Sequence, residues 1–385
     1  MDAEMRRLVQ VAEARDQAAA NETRDRADIG HAWQELIDQL HASERSLLAW
    51  DNGGKFGPLD TAEGYRFILH QLRYGIDLML ESDPDRPSFV PMTDSIIKLY
   101  GDNADALYHY TNISGVGGAR YRITGKRNDA AFLSFQVYRG PERGDTRQAT
   151  LDDINFRRMD LKPDGSFDIA VGGPRQDRNS LALDEDATCI IVRAYYLDVL
   201  KDRHAEFKIE RATPIAPRPP WTLQEVAAGI RRIASFTRTA EDMRPREVQT
   251  WNQFSEPFQF QKSMKGWGTV DNIYTRCLFR IEPDEALVID ARTVPAPYWG
   301  IQLWNIHPQS LDFRDRQICL NARSMKVEPD GRFRAIVAST DPKLPNWLDA
   351  AGHRIGMVFV RWTLAEQKLE KPTARVVKLK DLRRA

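Results

Sequence analysis

The sequence predicts an α+β multi-domain protein, in which an N-terminal helical region precedes two related antiparallel β-sandwich domains of jelly-roll type. Three observations predict this class. The hydrophobic period changes from helical to alternating near residue 102. The turn "KPDGSF" returns later as "EPDGRF", and the residues around both turns align at a nearly constant offset. With 385 residues, the chain is also longer than one ordinary core supports.

Residues 1–101 have helical character. In "HAWQELIDQLHASERSLLAW" the apolar residues recur at helical spacing. A second helix is expected to begin at Asp60, because Asp60 and Glu63 resemble a capping box. Its apolar side chains predict one buried stripe, made of Tyr65, Ile68, Leu69, Leu72 and Ile76.

Residues 102–213 are predicted to form the first sandwich. The segment "AFLSFQVY" alternates, which places Leu133, Phe135 and Val137 on one face and Gln136 and Tyr138 on the other. The segment "TCIIVRAYYLDV" predicts a second strand. Short alternating strands separated by turn residues favour a sandwich over an α/β fold.

Residues 214–265 are predicted to link the two sandwiches, and residues 266–385 to form the second. The linker opens with the proline-rich "PIAPRPP" and continues into a helix that Thr222 and Glu225 can cap. It ends in the aromatic segment "VQTWNQFSEPFQFQKSMKGW", which has no counterpart in the first copy. Because binding sites favour domain interfaces, we expect this segment to cover a cleft between the sandwiches.

The two turns belong to an internal duplication. Asp164 and Asp330 lie 166 positions apart. Turn chemistry alone favours Pro-Asp-Gly, but matching polar residues inside strands are much harder to obtain by chance. The aligned pairs are Gln136 with Gln302, Asn155 with Asn321, Arg157 with Arg323 and, after a two-residue insertion, Arg193 with Arg361. We expect these shared residues to serve the scaffold, with each Gln bonded inside its own domain and the Asn and Arg pairs bracing the hairpins.

The second copy also resembles a known family. The segment "GWGTVDNIYTRCLFRIEPDEALVIDARTVPAPYWGIQLWN" at 266–305, followed by "RQICLNARSMKVEPDGRFRAIVASTDPKLPNWLDAAGH", is similar to domain of unknown function 1214. That family often accompanies domain of unknown function 1254 in bacterial proteins, and the first copy looks like this partner. The resemblance covers about the C-terminal third and implies a helical part with two related sandwiches. It leaves the activity open.

Several functional classes are disfavoured by the sequence. Basic and acidic residues number 55 each, without the surplus typical of a nucleic-acid binder. The seven histidines and three cysteines show no metal-ligand spacing, although a site built from scattered carboxylates stays open. Dinucleotide, Walker and G-x-S-x-G motifs are missing, so no cofactor is expected. No signal peptide or long apolar run is found, so we expect a cytoplasmic protein that does not enter membranes.

The candidate site rests on residues that differ between the copies. His307 follows a strand end, where loops on a rigid scaffold carry function, and its ordinary pKa suits proton transfer. Arg361 can hold a carboxylate or phenolate, although its counterpart Arg193 favours a structural ion pair. The predicted catalytic residues are His307 and Tyr274. The predicted substrate-binding residues are Trp267, Trp299, Gln302, Trp304, Asn305 and Arg361.

The function that these features favour is a cofactor-independent enzyme acting on a lipophilic or aromatic small molecule. Lyase, elimination or hydrolytic chemistry in a Trp-lined cleft, between or beside the sandwiches, requires no redox group. The alternative is a carbohydrate-binding or small-ligand-binding protein without catalysis. A structural protein that uses the doubled sandwich for homo-oligomer assembly is a third hypothesis.

Overall fold

The computed structural model describes residues 3–50, 56–93, 96, 98–140, 145–213, 215–242 and 250–384. Three helices form one layer: α1 (Ala3–Trp50), α2 (Pro58–Gly75) and α3 (Leu223–Glu241). A π-helical turn, Ile76–Leu80, continues α2. The three helices share an apolar cluster with the outer face of the first sandwich. None of the described helices is long and apolar enough to cross a lipid bilayer.

The start of α2 differs from the expected one. Gly57 is the N-cap residue, Pro58 occupies the first turn, and the Asp60 carboxylate accepts the Gly57 N–H at 2.9 Å. Asp60 therefore stands at the third helical position, where its carboxylate caps the Gly57 N–H, and is not the N-cap residue itself. By contrast, α3 begins as predicted, because the Thr222 hydroxyl accepts the Glu225 N–H and the Glu225 carboxylate accepts the Thr222 N–H.

The predicted buried stripe of α2 is wrong for most of its members. Tyr65, Leu69 and Ile76 are 41%, 62% and 40% exposed, and only Ile68 is buried. The helix turns a different face inward because α1 approaches closely at Gly64. A Cβ at this position would overlap the Leu47 side chain, so small size and not apolar periodicity selects the contact face. The buried members of α2 are Asp60, Gly64, Phe67, Ile68, Gln71, Tyr74 and Gly75.

The first sandwich consists of two sheets. The strand order is β1-β2-β8-β4-β5 in one and β7-β6-β3-β9 in the other. The strands are β1 (Val90–Pro91), β2 (Ala106–Asn112), β3 (Tyr121–Lys126), β4 (Phe132–Arg139), β5 (Ala149–Asn155), β6 (Ser166–Val171), β7 (Ser180–Leu181), β8 (Ala187–Tyr195) and β9 (Glu206–Arg211).

The second sandwich repeats this plan. The strand order is β10-β12-β18-β14-β15 in one sheet, with β11 also paired to β12, and β17-β16-β13-β19 in the other. The strands are β10 (Gln253–Phe254), β11 (Phe258–Gln259), β12 (Asn272–Arg280), β13 (Glu285–Arg292), β14 (Tyr298–Trp304), β15 (Cys319–Asn321), β16 (Arg332–Ala338), β17 (Trp347–Asp349), β18 (Ile355–Thr363) and β19 (Thr373–Lys378).

The matching strand orders confirm the fold class and the duplication. Strands β2 to β9 correspond one by one to β12 to β19, including a single parallel pair in each copy, β6 with β7 and β16 with β17. The two aligned turns lead into β6 and β16. Gly165 and Gly331 in these turns have φ angles of 82° and 87°, which glycine adopts at little cost.

The segments outside the copies extend their sheets. Strand β1 lies in the region predicted as helical and pairs with β2, whereas β10 and β11 lie in the predicted linker and pair with β12. The linker is thus part of the second sandwich as well as a connection to it. Unpaired strand edges invite further pairing, and these short strands cover part of each edge.

The alternation predicted for β4 is confirmed, but both of its faces are buried. Leu133, Phe135 and Val137 lie in the core of the first sandwich. The opposite face, which carries Gln136 and Tyr138, is covered by the helical layer and by the segment around Gly268 of the second copy. Domain–domain packing therefore explains why a strand with polar residues on one face is buried throughout.

Both shared glutamines bond across the two domains. Gln136 is also bonded within its own domain, to Thr150 and Arg193, as expected, whereas both side-chain hydrogen bonds of Gln302 within the described chain go to the other copy. Gln302 accepts the Ala104 N–H at 2.9 Å and donates to the Asp102 carbonyl at 2.8 Å. At the equivalent position Gln136 donates to the Gly268 carbonyl at 3.3 Å. We call residues 100–105 the first arm and residues 266–271 the second arm. Each arm leads into the first long strand of its own copy while lying against the other copy.

The shared asparagines also cross the interface. Asn155 Nδ2 donates to Asp271 at 2.9 Å, and Asn321 Nδ2 donates to Asp105 at 3.0 Å. Each Asn also accepts an N–H inside its own hairpin approach, as predicted. The matching arginines make cross-domain ion pairs, Arg157 with Glu366 and Arg323 with Asp202. The duplicated polar set is therefore mainly the interface of a pseudo-two-fold pair.

Candidate functional site

A cavity of about 170 Å³ lies where the two copies and their arms meet. Both copies contribute equivalent positions: Tyr108 and Arg193 from the first, Tyr274 and Arg361 from the second. The arms and the aromatic linker segment complete the wall. The remaining lining residues are Met92, Thr93, Leu99, Tyr100, Gly101, Asp102, Ile191, Tyr195, Phe258, Phe260, Trp267, Gly268, Arg276, Trp304, Pro308, Met357 and Phe359.

Nine of the 21 residues that line the cavity are aromatic. The Trp304 and Phe359 rings stack with centroids 4.1 Å apart, and Tyr274 lies 5.4 Å from Phe359. Phe258 and Phe260 pack against Tyr274 at 5.7 and 5.9 Å. The linker segment therefore covers the cleft between the sandwiches, as its composition predicted. Such a surface suits a flat apolar ligand.

Arg361 is the least satisfied charged group of this wall. It is 3% exposed, and its only hydrogen bond within the described chain runs from Nη2 to the Asp102 carbonyl at 3.1 Å. Its Nε and Nη1 have no hydrogen-bond partner among the described residues. Its carbon Cζ lies 5.2 Å from the Phe359 ring centroid and 6.0 Å from that of Trp304. A buried guanidinium in this condition is costly.

Two buried carboxyls near Arg361 are bonded to other groups. Asp102 accepts the Ser310 N–H and hydroxyl at 2.8 and 2.6 Å, and Asp105 accepts from Tyr298 and Asn321. Burial raises the pKa of both carboxyls, against the hydrogen bonds and the Arg361 charge, which lower it. Neither carboxyl hydrogen-bonds the guanidinium.

Arg193 is satisfied where Arg361 is not. Its Nη1 donates to Gln136 Oε1 at 3.1 Å, and its Nη2 donates to the Tyr138 hydroxyl at 2.9 Å and to the Trp267 carbonyl at 2.5 Å. The ion pair expected from the Arg193–Arg361 alignment is absent among the described residues, since Arg193 is bonded to neutral groups. The two copies have thus diverged at equivalent positions, with one arginine bonded to the scaffold and one facing the cavity with free N–H groups.

The tyrosines of the wall are hydrogen-bond donors at neutral pH. Burial raises the pKa of Tyr274 to about 12 and also raises the pKa of Tyr108 and Tyr195. Asn272 Nδ2 donates to the hydroxyl oxygens of Tyr274 and Tyr195 at 3.1 and 3.0 Å. Because these two hydroxyl oxygens already accept hydrogen bonds from Asn272, their O–H groups remain available to donate to another acceptor. Tyr274 is therefore suited to act as an acid and not as a base.

The structure does not place His307 with Tyr274. His307 is fully buried and does not line the cavity. Its Nε2 lies 2.8 Å from the Asp60 carbonyl, and its ring packs against Trp50 and Phe56 at 5.6 and 5.7 Å. The loop after β14 turns into the helical layer and not toward the cleft, so the proposed acid–base pair is not assembled.

The predicted substrate-binding residues divide between cavity and scaffold. Trp267, Trp304 and Arg361 line the cavity, as does Tyr274. Trp299 stacks on Phe333 at 5.4 Å inside the second core. Gln302 joins the first arm, as described above. Asn305 accepts the N–H groups of His307 and Gln309 at 3.0 and 3.1 Å and so shapes the loop after β14.

Sequence reasoning missed the contribution of the first copy. Tyr108, Tyr195 and Arg193 line the cavity together with second-copy residues. The signal was present, since Tyr108 and Tyr274 obey the same 166-residue offset as the turns. The expectation that shared residues serve the scaffold assumes that one site per chain requires residues that differ between the copies. A cavity on a pseudo-two-fold axis collects equivalent residues from both copies.

The described residues contain no cluster of side chains suited to metal binding, and their cysteines are free thiols. Among those residues no group of three or more His, Cys, Asp or Glu side chains could hold a metal ion. Cys189 and Cys277 are buried free thiols and Cys319 is a partly buried one. Burial raises the pKa of Cys277 to about 12, which makes it unreactive at neutral pH.

A solved structure of an uncharacterized protein from Burkholderia cenocepacia is similar over nearly its whole length. It is 31% identical, the match covers 91% of this chain and 98% of that one, and the TM-score is 0.84. This chain belongs to the same family. The shared fold therefore includes the helical layer and both sandwiches.

A structure of the VPA0106 protein from Vibrio parahaemolyticus matches 81% of this chain and 96% of its own, with 10% identity and a TM-score of 0.46. No protein-family model matches the chain, and no curated protein does. The resemblance to domain of unknown function 1214 stays a prediction.

Proposed function

We propose that the cavity between the sandwiches binds a small aromatic or lipophilic carboxylate, whose head group pairs with Arg361. The observation that carries this proposal is the buried guanidinium that faces an apolar cavity with Nε and Nη1 unbonded within the described chain. A buried ionic group is tolerated when a partner completes its hydrogen bonds. A ligand carboxylate supplies both the charge and the acceptors.

The geometry of the guanidinium suits a planar head group. Its two forks, Nε with Nη2 and Nη1 with Nη2, each use one of the two Nη2 hydrogens. Among the described residues, one Nη2 hydrogen is engaged, with the Asp102 carbonyl. Whichever hydrogen that is, one complete fork remains for a bidentate carboxylate, the arrangement that arginine binds best.

The cavity volume limits the body of the ligand. A dry apolar cavity of roughly 150 Å³ holds benzene, and this cavity measures about 170 Å³. A single ring or a short branched chain therefore fits, beside Trp304 and Phe359. This size and apolar wall favour a small acid over an oligosaccharide, the other ligand class that the tryptophans suggested.

Catalysis in the same cavity is the second candidate. The supporting observation is that Tyr274 lines the cavity with Arg361 and keeps its proton up to about pH 12. In a cofactor-independent lyase, elimination or hydrolytic reaction, Tyr274 would donate a proton to the leaving group or to a developing oxyanion. Tyr274→Phe then abolishes turnover of the true substrate while leaving its binding within about threefold.

The binding proposal is tested with pairs of small acids and their neutral amides, starting with benzoate and benzamide. Calorimetric titration of wild-type protein is expected to detect the acid and not the amide. Arg361→Met is expected to weaken acid binding by at least about tenfold, the effect of losing one charge-assisted bond. The exposed Arg178→Met serves as control and leaves binding unchanged. The proposal is contradicted if Arg361→Met binds the acids as tightly as wild-type protein does. It is also contradicted if no aromatic or short-chain acid binds wild-type protein.

Partners and location also belong to this proposal. A small molecule is the proposed partner, without nucleic acid or membrane. Cytoplasmic location and homo-oligomer formation stay predictions of the sequence.

A further inference from the structure

A second pocket, of about 180 Å³, lies between α2 and the second sandwich. It is separated from the first cavity by residues 98–102, since Leu99 to Asp102 line the first cavity and Lys98 lines the second. Charged side chains dominate its wall. They are Glu63, Arg66, Lys98, Asp312, Arg314, Arg316 and His353.

Lys98 is the unusual member of this wall. It is 2% exposed, and its Nζ has no hydrogen-bond partner among the described residues. Nζ lies 4.0 Å from the centroid of the Phe313 ring. A buried ammonium normally has hydrogen-bonded partners for its three N–H groups, and a ring face replaces them only in part.

The other charges around the pocket are mostly paired with each other. Arg316 binds Asp349 at 2.7 Å and Arg314 binds Asp312 at 2.7 Å. Glu63 binds His353 at 2.8 Å. The pocket therefore contains acidic groups, but each of these three has a basic partner of its own.

Two acidic groups act on Lys98 from a distance, and neither bonds it. Asp102 and Asp312 both favour its charged form, while burial lowers its pKa. The Asp102 carboxylate is bonded to Ser310, and the Asp312 carboxylate is bonded to Arg314. Arg66, which projects from α2 into the same pocket, forms no ion pair within the described part of the chain. Within the described ranges, the buried Lys98 and the solvent-exposed Arg66 thus have no bonded anion.

We propose that this pocket binds a phosphate-class oxyanion, inorganic phosphate or a phosphate monoester, between Lys98 and Arg66. The two donors come from different parts of the chain: Arg66 from α2, and Lys98 from the segment just before the first arm. They can therefore approach an anion from two directions instead of forming one planar fork. A tetrahedral anion with several acceptor oxygens satisfies such a set better than a carboxylate does. The site is independent of the cavity proposed above and does not require its ligand.

The test uses inorganic phosphate and the full-length chain, with calorimetry as the readout. Wild-type protein is expected to bind phosphate, and Lys98→Met is expected to bind it at least about tenfold more weakly. Arg66→Met should also lower the affinity for phosphate. The exposed Lys208→Met is the matched control and leaves the affinity unchanged. Thermal unfolding without phosphate checks the fold, and Lys98→Met should not lower Tm because it removes an unbonded buried charge.

Two further titrations separate the outcomes. Glycerol phosphate binding more tightly than inorganic phosphate identifies a monoester as the ligand, and the reverse order identifies the free ion; either order supports the site. Arg361→Met is expected to bind phosphate as wild-type protein does, so loss of acid binding in the first cavity leaves this result intact. Absence of phosphate binding to wild-type protein, or equal affinity in Lys98→Met, overturns the proposal.

Discussion

Arg193 and Arg361 occupy equivalent positions in the two copies and differ in what they bond. Arg193 donates to Gln136, Tyr138 and the Trp267 carbonyl, whereas Arg361 has one backbone acceptor. The alignment identified both residues but not this difference. Hydrogen-bond partners depend on where the arms lie, which is a property of the folded chain.

The two arginines should respond oppositely to the same substitution. Arg193→Met removes the donor from three acceptors, two of them buried, and is expected to lower the free energy of unfolding by about 2–3 kcal/mol. Arg361→Met removes an incompletely bonded charge and is expected to leave that free energy unchanged or to raise it. Urea unfolding of both variants measures the difference. Equal destabilisation would contradict our account of Arg361.

His307 should matter for stability and not for the cavity. It is enclosed by Trp50, Phe56 and Phe67 and lies beside the Asp60 carbonyl. His307→Ala leaves a void, and we expect a loss of about 2–4 kcal/mol in the free energy of unfolding, with unchanged acid binding. His31→Ala, on the exposed side of α1, is the control. Loss of ligand affinity without loss of stability would restore His307 as a site residue.

At the scale of elements, a partly buried ion pair, Glu63 with His353, helps to attach α2 to the second sandwich. Burial lowers the pKa of His353, but the Glu63 carboxylate outweighs this effect, so that the pKa of His353 lies above 6.5. Burial acts to raise the pKa of Glu63, but His353 reverses this, so that it lies below 4.5. Both shifts favour the charged pair in the folded state.

This pair predicts a pH-dependent stability. The contribution of His353 is complete below about pH 6.5 and is lost as pH rises through its raised pKa. That of Glu63 is complete above about pH 4.5 and is lost as pH falls through its lowered pKa. Glu63→Gln should therefore cost most near pH 5.5, about 1–3 kcal/mol, and less near pH 9. Urea unfolding at both pH values tests this, with the exposed Glu185→Gln as control. A cost independent of pH would contradict the ion pair.

In the second arm, Gly268 lets the Phe260 ring of the aromatic linker segment pack closely against the backbone beside the cavity. A Cβ at this position would overlap the Phe260 ring, and the Gly268 carbonyl accepts the Tyr138 hydroxyl at 3.0 Å. Gly268→Ala should therefore displace Phe260, lower the free energy of unfolding by about 1–3 kcal/mol and accelerate release of a bound acid. Stopped-flow displacement measures the release. Gly30→Ala, where a Cβ meets nothing within 4 Å, is the control. Unchanged release would show that the arm does not hold the segment.

At the scale of the whole molecule, the two copies behave as one unit because each arm and each shared Asn bonds the other copy. Asn155→Ala removes the bond to Asp271, and we expect a loss of about 1–3 kcal/mol that both sandwiches share. Hydrogen exchange of β4 and β14 measures this, since global unfolding exposes both strands together. A change confined to β4 would show that the sandwiches unfold separately. The exposed Gln176→Ala is a suitable control.

Much of the architecture followed from periodicity and repetition. The alternating residues of β4, the capping of α3, the duplication and the aromatic cover of the cleft were predicted from residue patterns, and the structure confirms them. The inward face of α2 was not, because Gly64 allows a close helix contact that hydrophobicity does not reveal. Of the predicted site, Tyr274, Trp267, Trp304 and Arg361 meet at the cavity, whereas His307 and Trp299 do not.

The sequence by itself determined that this protein is built twice on one β-sandwich plan behind a helical region, because strand period, turn chemistry and aligned polar residues are local properties of the chain. Only the tertiary structure decided that the copies face each other across crossed arms. That arrangement places Arg361 among aromatic rings, with Nε and Nη1 unbonded by any residue that the structure describes, and satisfies Arg193. Which of two equivalent side chains is left unbonded depends on contacts between residues distant in sequence, and residue patterns do not encode those contacts locally.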